Sequence, residues 1–444
     1  MGEAPPTTEG LAGRVRDFVR DTVIPVEVEH LGVLHRPVDG GAASAASAPI
    51  DETERALRRD LQAAAREAGL LTPHLPVEWG GRGLTHLEQA DVFEAAGYSL
   101  FGPVALNVSA PDEGNMHLLL EAASDAQRER WLRPLAAGDL HSAFAMTEPA
   151  PGAGSDPRAL TTRAERVAGG WRITGEKWFI TGARGAGLVI CLARTAGEPG
   201  DPGGATMFLI DGDTAGLTIE RDVHTIDAGL FGGHSVVRFD GCLVPDDAVL
   251  GEVDHGLEAA QVRLAPARLT HCMRWLGLAG RAHDLALDHV TTRHAFGSTV
   301  ADLGPAQQLV AENEIDLAAA RAVVRETARV LDAAHGGAHG EAHGEAGASD
   351  DATAAAAPRR AAADPIAASS IAKTFVSEAV GRVVDRSVQL AGGQGVSDEL
   401  LLARYWRDIR PFRIYDGSNE THRWSIAKHA VRAHRKGHRH DLPA

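Results

Sequence analysis

Phe144-Ala145-Met146-Thr147-Glu148-Pro149, running into Gly152-Ala153-Gly154-Ser155-Asp156, marks the point where the texture of this chain changes. Upstream, apolar residues recur at helical spacing. Downstream, short β-rich runs at 171–174, 178–181, 188–192, 207–210 and 236–239 are separated by Gly, Asp and Pro. Strands of this length and spacing predict a compact all-β domain, a barrel or small sandwich. No helical pattern falls between them, which argues against a Rossmann sheet. The glycine-rich turn itself frees backbone N–H groups and the Ser155 hydroxyl, a set that can hold a diphosphate. It also reads as a plain strand connection, because no helix follows it as a dinucleotide fingerprint requires.

Working outward, Leu11, Val15, Phe18, Val19 and Val23 form one helical stripe, and Leu57, Leu61 and Ala65 another that stops at Gly69. Thr85 with Glu88 and Ser124 with Gln127 are capping-box signatures of further helices. Residues 40–49 are small and low in complexity and predict a surface loop. Beyond Gly251, long helical patterns occupy about 256–289, 306–334 and 365–391, with a last helix at 421–432. Helices of roughly 30 residues span about 45 Å, so an antiparallel bundle is expected. The Gly-, Ala- and acid-rich stretch 336–364 is expected to be a mobile inter-helix loop. The fold class is therefore α+β: an N-terminal α-helical domain (1–141), a middle β domain (142–251) and a C-terminal α-helical bundle (252–444).

Bulk properties narrow the function. A formal net charge of −16 over 444 residues argues against nucleic acid as a partner. Three scattered cysteines (Cys191, Cys242, Cys272) imply neither a disulfide framework nor a zinc site. The polar, Pro-rich N-terminus and the lack of a long apolar run predict a soluble, cytoplasmic protein without membrane insertion. His335, His339 and His343 would align as a metal stripe on a helix, but they sit in the glycine-rich stretch, so no metal is expected. The His- and Arg-rich tail at 434–440 reads as a frayed terminus.

Near the C-terminus, Arg413-Ile414-Tyr415-Asp416-Gly417-Ser418 sets one carboxylate between a bulky apolar pair and a glycine. Two readings stand side by side. Desolvation would raise the proton affinity of Asp416 and make it a general base, or Asp416 simply caps the helix that follows. Upstream, Glu176-Lys177-Trp178-Phe179-Ile180-Thr181-Gly182 is an aromatic strand ending in a hydroxyl. It suits either the flank of a planar ring or ordinary core packing.

Together these segments resemble the acyl-CoA dehydrogenase superfamily, over essentially the whole chain. Pro76-Val77-Glu78-Trp79-Gly80-Gly81, Arg293-His294-Ala295-Phe296-Gly297, Gln389-Leu390-Ala391-Gly392-Gly393 and Arg407-Asp408 match in the same order. The resemblance implies FAD as cofactor and Asp416 as the base. Phe144, Met146 and Thr147 would line the flavin, Ser155 would meet the FAD diphosphate or the CoA arm, and Phe179 and Thr181 would cover the ring's other side. Arg293, Phe296, Gln389, Gly392 and Gly393 would reach the FAD of an adjacent subunit, implying a homodimer or homotetramer. Arg268 and Gly417 would serve the substrate, and Ser418 the cofactor. The implied reaction removes the α-proton of an acyl-CoA to Asp416 and its β-hydride to flavin N5. An electron-transfer flavoprotein is the implied electron acceptor.

The chain departs from the family pattern in three places. Asp416 stands where Glu is usual, a base shorter by about 1.5 Å. Ser418 and Glu420 replace Thr and Gln, and Gly304 replaces a Gln, for which Gln307 is a candidate substitute. Residues 261–274 hold no carboxylate, leaving Asp416 as the base. Ser109-Ala110-Pro111-Asp112, Gly114-Asn115-Met116, Gly232-Gly233-His234 and His271-Cys272-Met273-Arg274 are similar to one subfamily, fused in some eukaryotes to an aminoglycoside-phosphotransferase-like kinase domain. Its association with long, branched or hydroxylated acyl groups transfers weakly, since no kinase domain is present here. The competing readings are a flavin oxidase of the same fold, of the nitroalkane-oxidase type, and a flavin-free scaffold.

Overall fold

The computed structural model describes residues 8–34, 52–227, 231, 233–340 and 364–437. The expected loop at 40–49 lies outside them, as do His343, most of 336–364 and the end of the tail.

The N-terminal domain is helical because its apolar stripes find each other. Thr8–Phe18 and Ile24–Leu34 join through one wider turn at Val19–Val23 into a single rod. Leu11, Val15, Val19 and Val23 lie on its buried side. Both capping boxes form: Thr85 starts the helix His86–Gly97, and Ser124 starts the one-turn helix Asp125–Gln127. His86–Gly97 then presses on the first bundle helix, Gly256–Thr292, through two glycines. A Cβ on Gly277 would stand 2.0 Å from the Glu94 carbonyl oxygen, and one on Gly97 would stand 2.0 Å from that of Arg274. This contact sets the depth at which the polar face of the bundle helix meets the N-terminal domain.

Eight strands build the middle domain: β1 (Ser142–Ala145), β2 (Arg163–Val167), β3 (Gly170–Thr181), β4 (Leu188–Arg194), β5 (Ala205–Asp211), β6 (Leu217–Asp222), β7 (His234–Pro245) and β8 (Val249–Leu250). The sheet runs β6-β7-β3-β2-β4-β5-β8, with β1 alongside β4. All seven residues of β4 are buried, which explains the apolar run over its first six; Arg194 at its end donates to the Leu160 and Arg158 carbonyls. The runs at 171–174 and 178–181 are not two strands but one. The polar break between them is an irregularity in the pairing with β7, where Gly175 lies so close to β2 that a Cβ would meet Thr162 Oγ1 at 2.5 Å. Strands β2 and β6 escaped notice because they are short, charged and largely exposed.

The bundle comprises Gly256–Thr292, Gly304–Gly340, Pro365–Ala391, Leu402–Ile409 and Asn419–Arg435. The second helix passes through Gly336 and the backbone positions of His335 and His339 to Gly340, where a loop was expected. A glycine inside a helix costs about 1 kcal/mol against alanine and does not by itself end it. Among the described residues no group of three metal-ligating side chains comes together, and no helix is long and apolar enough to cross a membrane.

Candidate active site

A cavity of about 1100 Å³ lies where the three domains meet. The N-terminal domain contributes Leu100 and Val104, the sheet contributes Phe144 and Thr181, and the bundle contributes Arg268, His271 and Asp416.

The turn carrying Asp416 is built by its backbone. Phe412 is buried and anchors the segment, and the carbonyl of Pro411 accepts from the N–H of Ile414 and Tyr415. Asp416 and Gly417 then both take left-handed conformations, with φ of 52° and 91°. Asp is among the few non-glycine residues that adopt this region with any frequency, and at Gly417 a Cβ would also strike His422 Nε2 at 2.8 Å. The helix Asn419–Arg435 is capped by Ser418, whose Oγ accepts the Thr421 N–H at 3.3 Å. The capping role open to Asp416 in the sequence is thus filled two residues later, and its carboxylate is left facing the cavity.

Cations fix the turn through its carbonyls rather than through that side chain. Arg268 Nε donates to the Asp416 carbonyl at 3.1 Å, and Lys373 Nζ donates to the Gly417 carbonyl at 2.8 Å and to Asn419 Oδ1 at 2.9 Å. His422 Nε2 is 3.0 Å from the same Asp416 carbonyl, which can only accept, so that nitrogen carries the proton. Burial pushes His422 down to about 4 and Lys373 down to about 8.

The electrostatics of Asp416 reverse the expectation that desolvation would win. Burial does push its proton affinity up, but His271, Arg263 and Arg268 together outweigh it and hold the carboxyl below the ordinary range. His271 Nε2 sits 3.2 Å from Oδ2. The imidazole faces that oxygen at ion-pair distance, and no other side chain among the described residues bonds Oδ2. The imidazole is wedged against Tyr415, with ring centroids 4.9 Å apart, and burial and Arg274 push it toward its neutral form. Tyr415 is fixed in turn by the Trp275 indole N–H on its hydroxyl. Arg263 lies 4.1 Å over the Phe144 ring and donates to Asn115 Oδ1 at 2.8 Å.

On the sheet side, Lys177 and Glu148 are both fully buried and 2.8 Å apart. Glu148 also accepts from the N–H of Ala153, Thr161 and Thr162 and from the Thr161 hydroxyl. Lys177 also donates to the carbonyls of Met146 and Leu192. This pair folds the 144–156 segment so that Phe144, Met146, Thr147 and Ser155 reach the cavity wall. Phe179, at φ 54° and 43% exposed, and Thr181 join them.

The structure therefore gathers Phe144, Met146, Thr147, Ser155, Phe179, Thr181, Arg268, Asp416 and Gly417 around one cavity. It does not place Arg293, Phe296, Gln389, Gly392, Gly393 or Ser418 on that wall. Arg293 and Phe296 belong to an exposed hairpin whose strands are His294–Ala295 and Ser298–Thr299; Phe296 is 94% exposed. Gln389, Gly392 and Gly393 lie at the end of Pro365–Ala391, and a small apolar cluster of Val290, Ala306, Leu390 and Val300 joins that end to the hairpin region. Gln307 is exposed. Sequence reasoning gave no site role to Arg263, His271 or Lys373. The signal was there for the first two: Arg263, Arg268, His271 and Arg274 recur at helical spacing along one broad side of a helix, among buried apolar residues.

Family models match in succession: the acyl-CoA dehydrogenase N-terminal domain over 42–139, the middle domain over 143–242 and the C-terminal domain over 254–346 and 341–431. The chain belongs to the acyl-CoA dehydrogenase family. It is 35% identical over 418 residues to the Mycobacterium tuberculosis acyl-CoA dehydrogenase relative FadE2, covering 94% of this chain and 93% of that protein. It is 31% identical over 421 residues to rat acyl-CoA dehydrogenase family member 11, covering 94% of this chain but only 49% of that longer protein. A solved Mycobacterium abscessus structure described as an acyl-CoA dehydrogenase superposes with a TM-score of 0.81 at 32% identity, over 97% of this chain and all of that one. The helical, β and helical domains expected of the family are thus present in its order.

Proposed function

We propose that this protein is an FAD-dependent dehydrogenase that desaturates an acyl thioester between its α and β carbons, with Asp416 as the base. The observation that carries the reading is the division of labour at the turn. Ser418 caps the helix, three cationic or neutral donors hold the backbone, and the Asp416 carboxylate is left as an acceptor facing a large cavity. A cavity of about 1100 Å³ is at the upper end of small-molecule sites, room for a ring system and an acyl arm together.

The wall fits a flavin. Phe144, Met146 and Phe179 offer apolar faces, Thr147 and Thr181 offer hydroxyls to a polar ring edge, and Ser155 stands at the rim beside the open backbone of Gly154. FAD, when bound, supplies the acceptor for the β-hydride. The remaining work falls to the chain. Asp416 takes the α-proton; His271, Arg263 and Arg268 keep it ionised while weakening it as a base. Arg263 and Arg268 place positive charge next to the region where the thioester carbonyl gathers negative charge. Leu100 and Val104 exclude water along the acyl arm. The exposed Phe296 hairpin and Gly392 and Gly393, away from the cavity of their own subunit, serve the cofactor of a neighbouring copy in a homodimer or homotetramer. An electron-transfer flavoprotein then removes the electrons.

The test is an anaerobic titration of the purified protein with a panel of acyl-CoAs and nitroalkanes, followed by the visible flavin band. Bleaching by acyl-CoA is expected. A colourless protein that fails to take up FAD would overturn the reading. Bleaching by nitroalkanes alone, with peroxide formed in air, would replace it with an oxidase.

A further inference from the structure

Thr181 ends strand β3 at the cavity wall, and its Oγ1 is 2.9 Å from Nδ1 of His234, the first residue of β7. The other ring nitrogen, Nε2, is 3.1 Å from Oδ2 of Asp227. The three residues make an unbroken hydrogen-bonded chain from the wall into the protein, and all three line the cavity. Asp227 Oδ1 is buried without a hydrogen bond among the described residues, and Oδ2 meets His234, with Thr225 beside the same residue.

Donor and acceptor rules leave the chain two states. Burial pushes the Asp227 carboxyl up, but His234, with help from Thr225 and the backbone, outweighs this and keeps it ionised; an ionised carboxylate only accepts. His234 Nε2 therefore carries a proton. If the imidazole is neutral, Nδ1 is an acceptor, the Thr181 hydroxyl donates to it, and Thr181 offers only lone pairs to the cavity. If the imidazole is charged, Nδ1 donates to Oγ1, and the Thr181 proton turns toward the cavity. We propose that His234 and Asp227 are positioning residues whose shared proton sets whether Thr181 gives or accepts a hydrogen bond at the ring edge of the bound flavin.

This rests on the flavin reading above. An oxidised flavin presents acceptor nitrogens at its edge, and reduction turns one of them into an N–H donor. The oxidised ring therefore favours charged His234, the reduced ring favours neutral His234, and reduction releases the His234 proton to solvent. The other groups facing His234 are few. Arg184 and Asp222 are paired at 2.8 Å, with Asp222 also accepting from Ser235, the residue next to His234. The Tyr415 ring is held neutral by burial. None of these competes for the Nδ1 proton.

The experiment is a potentiometric titration of the holoenzyme across pH, with nitrogen-15 histidine spectra of its oxidised and dithionite-reduced forms. In wild type the fall of the midpoint potential with pH should be shallower than in His234→Gln, because reduction sheds a proton only when His234 can hold one. Thr181→Val should remove the shallow region while leaving the imidazole titratable, which separates the linkage from any fold defect. The His234 signals should move toward the neutral ring on reduction. Equal pH slopes in wild type and both variants, or His234 signals unchanged by reduction, would overturn the proposal while leaving the dehydrogenase reading intact. Failure to take up flavin would remove both.

Discussion

Glu148 and Asp416 are both buried carboxylates set among cations, and both are held below the ordinary range, Glu148 to about 2. What separates them is how their oxygens are used. Glu148 is saturated by Lys177 and by N–H and O–H donors of its own loop. Asp416 has cations around it, but Arg268 bonds its carbonyl, Lys373 that of Gly417 and Arg263 Asn115, and among the described residues its side chain is met only by His271. The first arrangement fixes a loop; the second keeps an acceptor available. A shifted proton affinity therefore says little about role until the hydrogen bonds of each oxygen are counted.

Four substitutions test that contrast. Asp416→Asn should lower the rate of flavin bleaching by about 10²–10⁴-fold with folding unchanged, the span of a general base; stopped-flow reduction near wild-type rate would remove Asp416 from the chemistry. Lys177→Met should leave Glu148 buried and unpaired and cost about 3–5 kcal/mol of stability, read by denaturant unfolding, with FAD affinity weakened as the 144–156 segment loosens. His271→Gln acts on protonation. In wild type Asp416 stays ionised well below the usual carboxylate range, so the acid limb of flavin reduction lies low. Without His271, burial gains ground, the carboxyl is harder to ionise, and the limb should move to higher pH. An unmoved limb in the pH–rate profile would show that His271 contributes only packing. Ser418→Ala should be mildest, about 1 kcal/mol from the lost cap, measured as a small drop in the unfolding midpoint.

The parts of the molecule that were legible in the sequence are those fixed by local chemistry. Capping boxes at Thr85 and Ser124 involve residues three apart, and the Leu11–Val23 stripe is a matter of spacing, so both survive folding unchanged. Asp416 was legible as a candidate but not its state, because its proton affinity depends on Arg263, Arg268 and His271, about 150 residues upstream. The cap was assigned to the wrong member of Asp-Gly-Ser as an alternative, since composition alone does not say which residue leaves the left-handed region first. The same limit hid the unity of β3: Gly175 reads as a turn until the strand packed against it is known.

The backbone at Asp416, with φ of 52°, also bears on why a shorter acid stands there. Asp and Asn tolerate that region far better than longer unbranched side chains. Asp416→Glu would then extend the carboxylate by one methylene while asking the main chain for a posture it resists. Lengthening the arm and loosening the shoulder come together, so a glutamate variant that recovers speed on small substrates should do so with a less rigid turn. Side-chain choice at this position is as much a decision about chain posture as about acid strength.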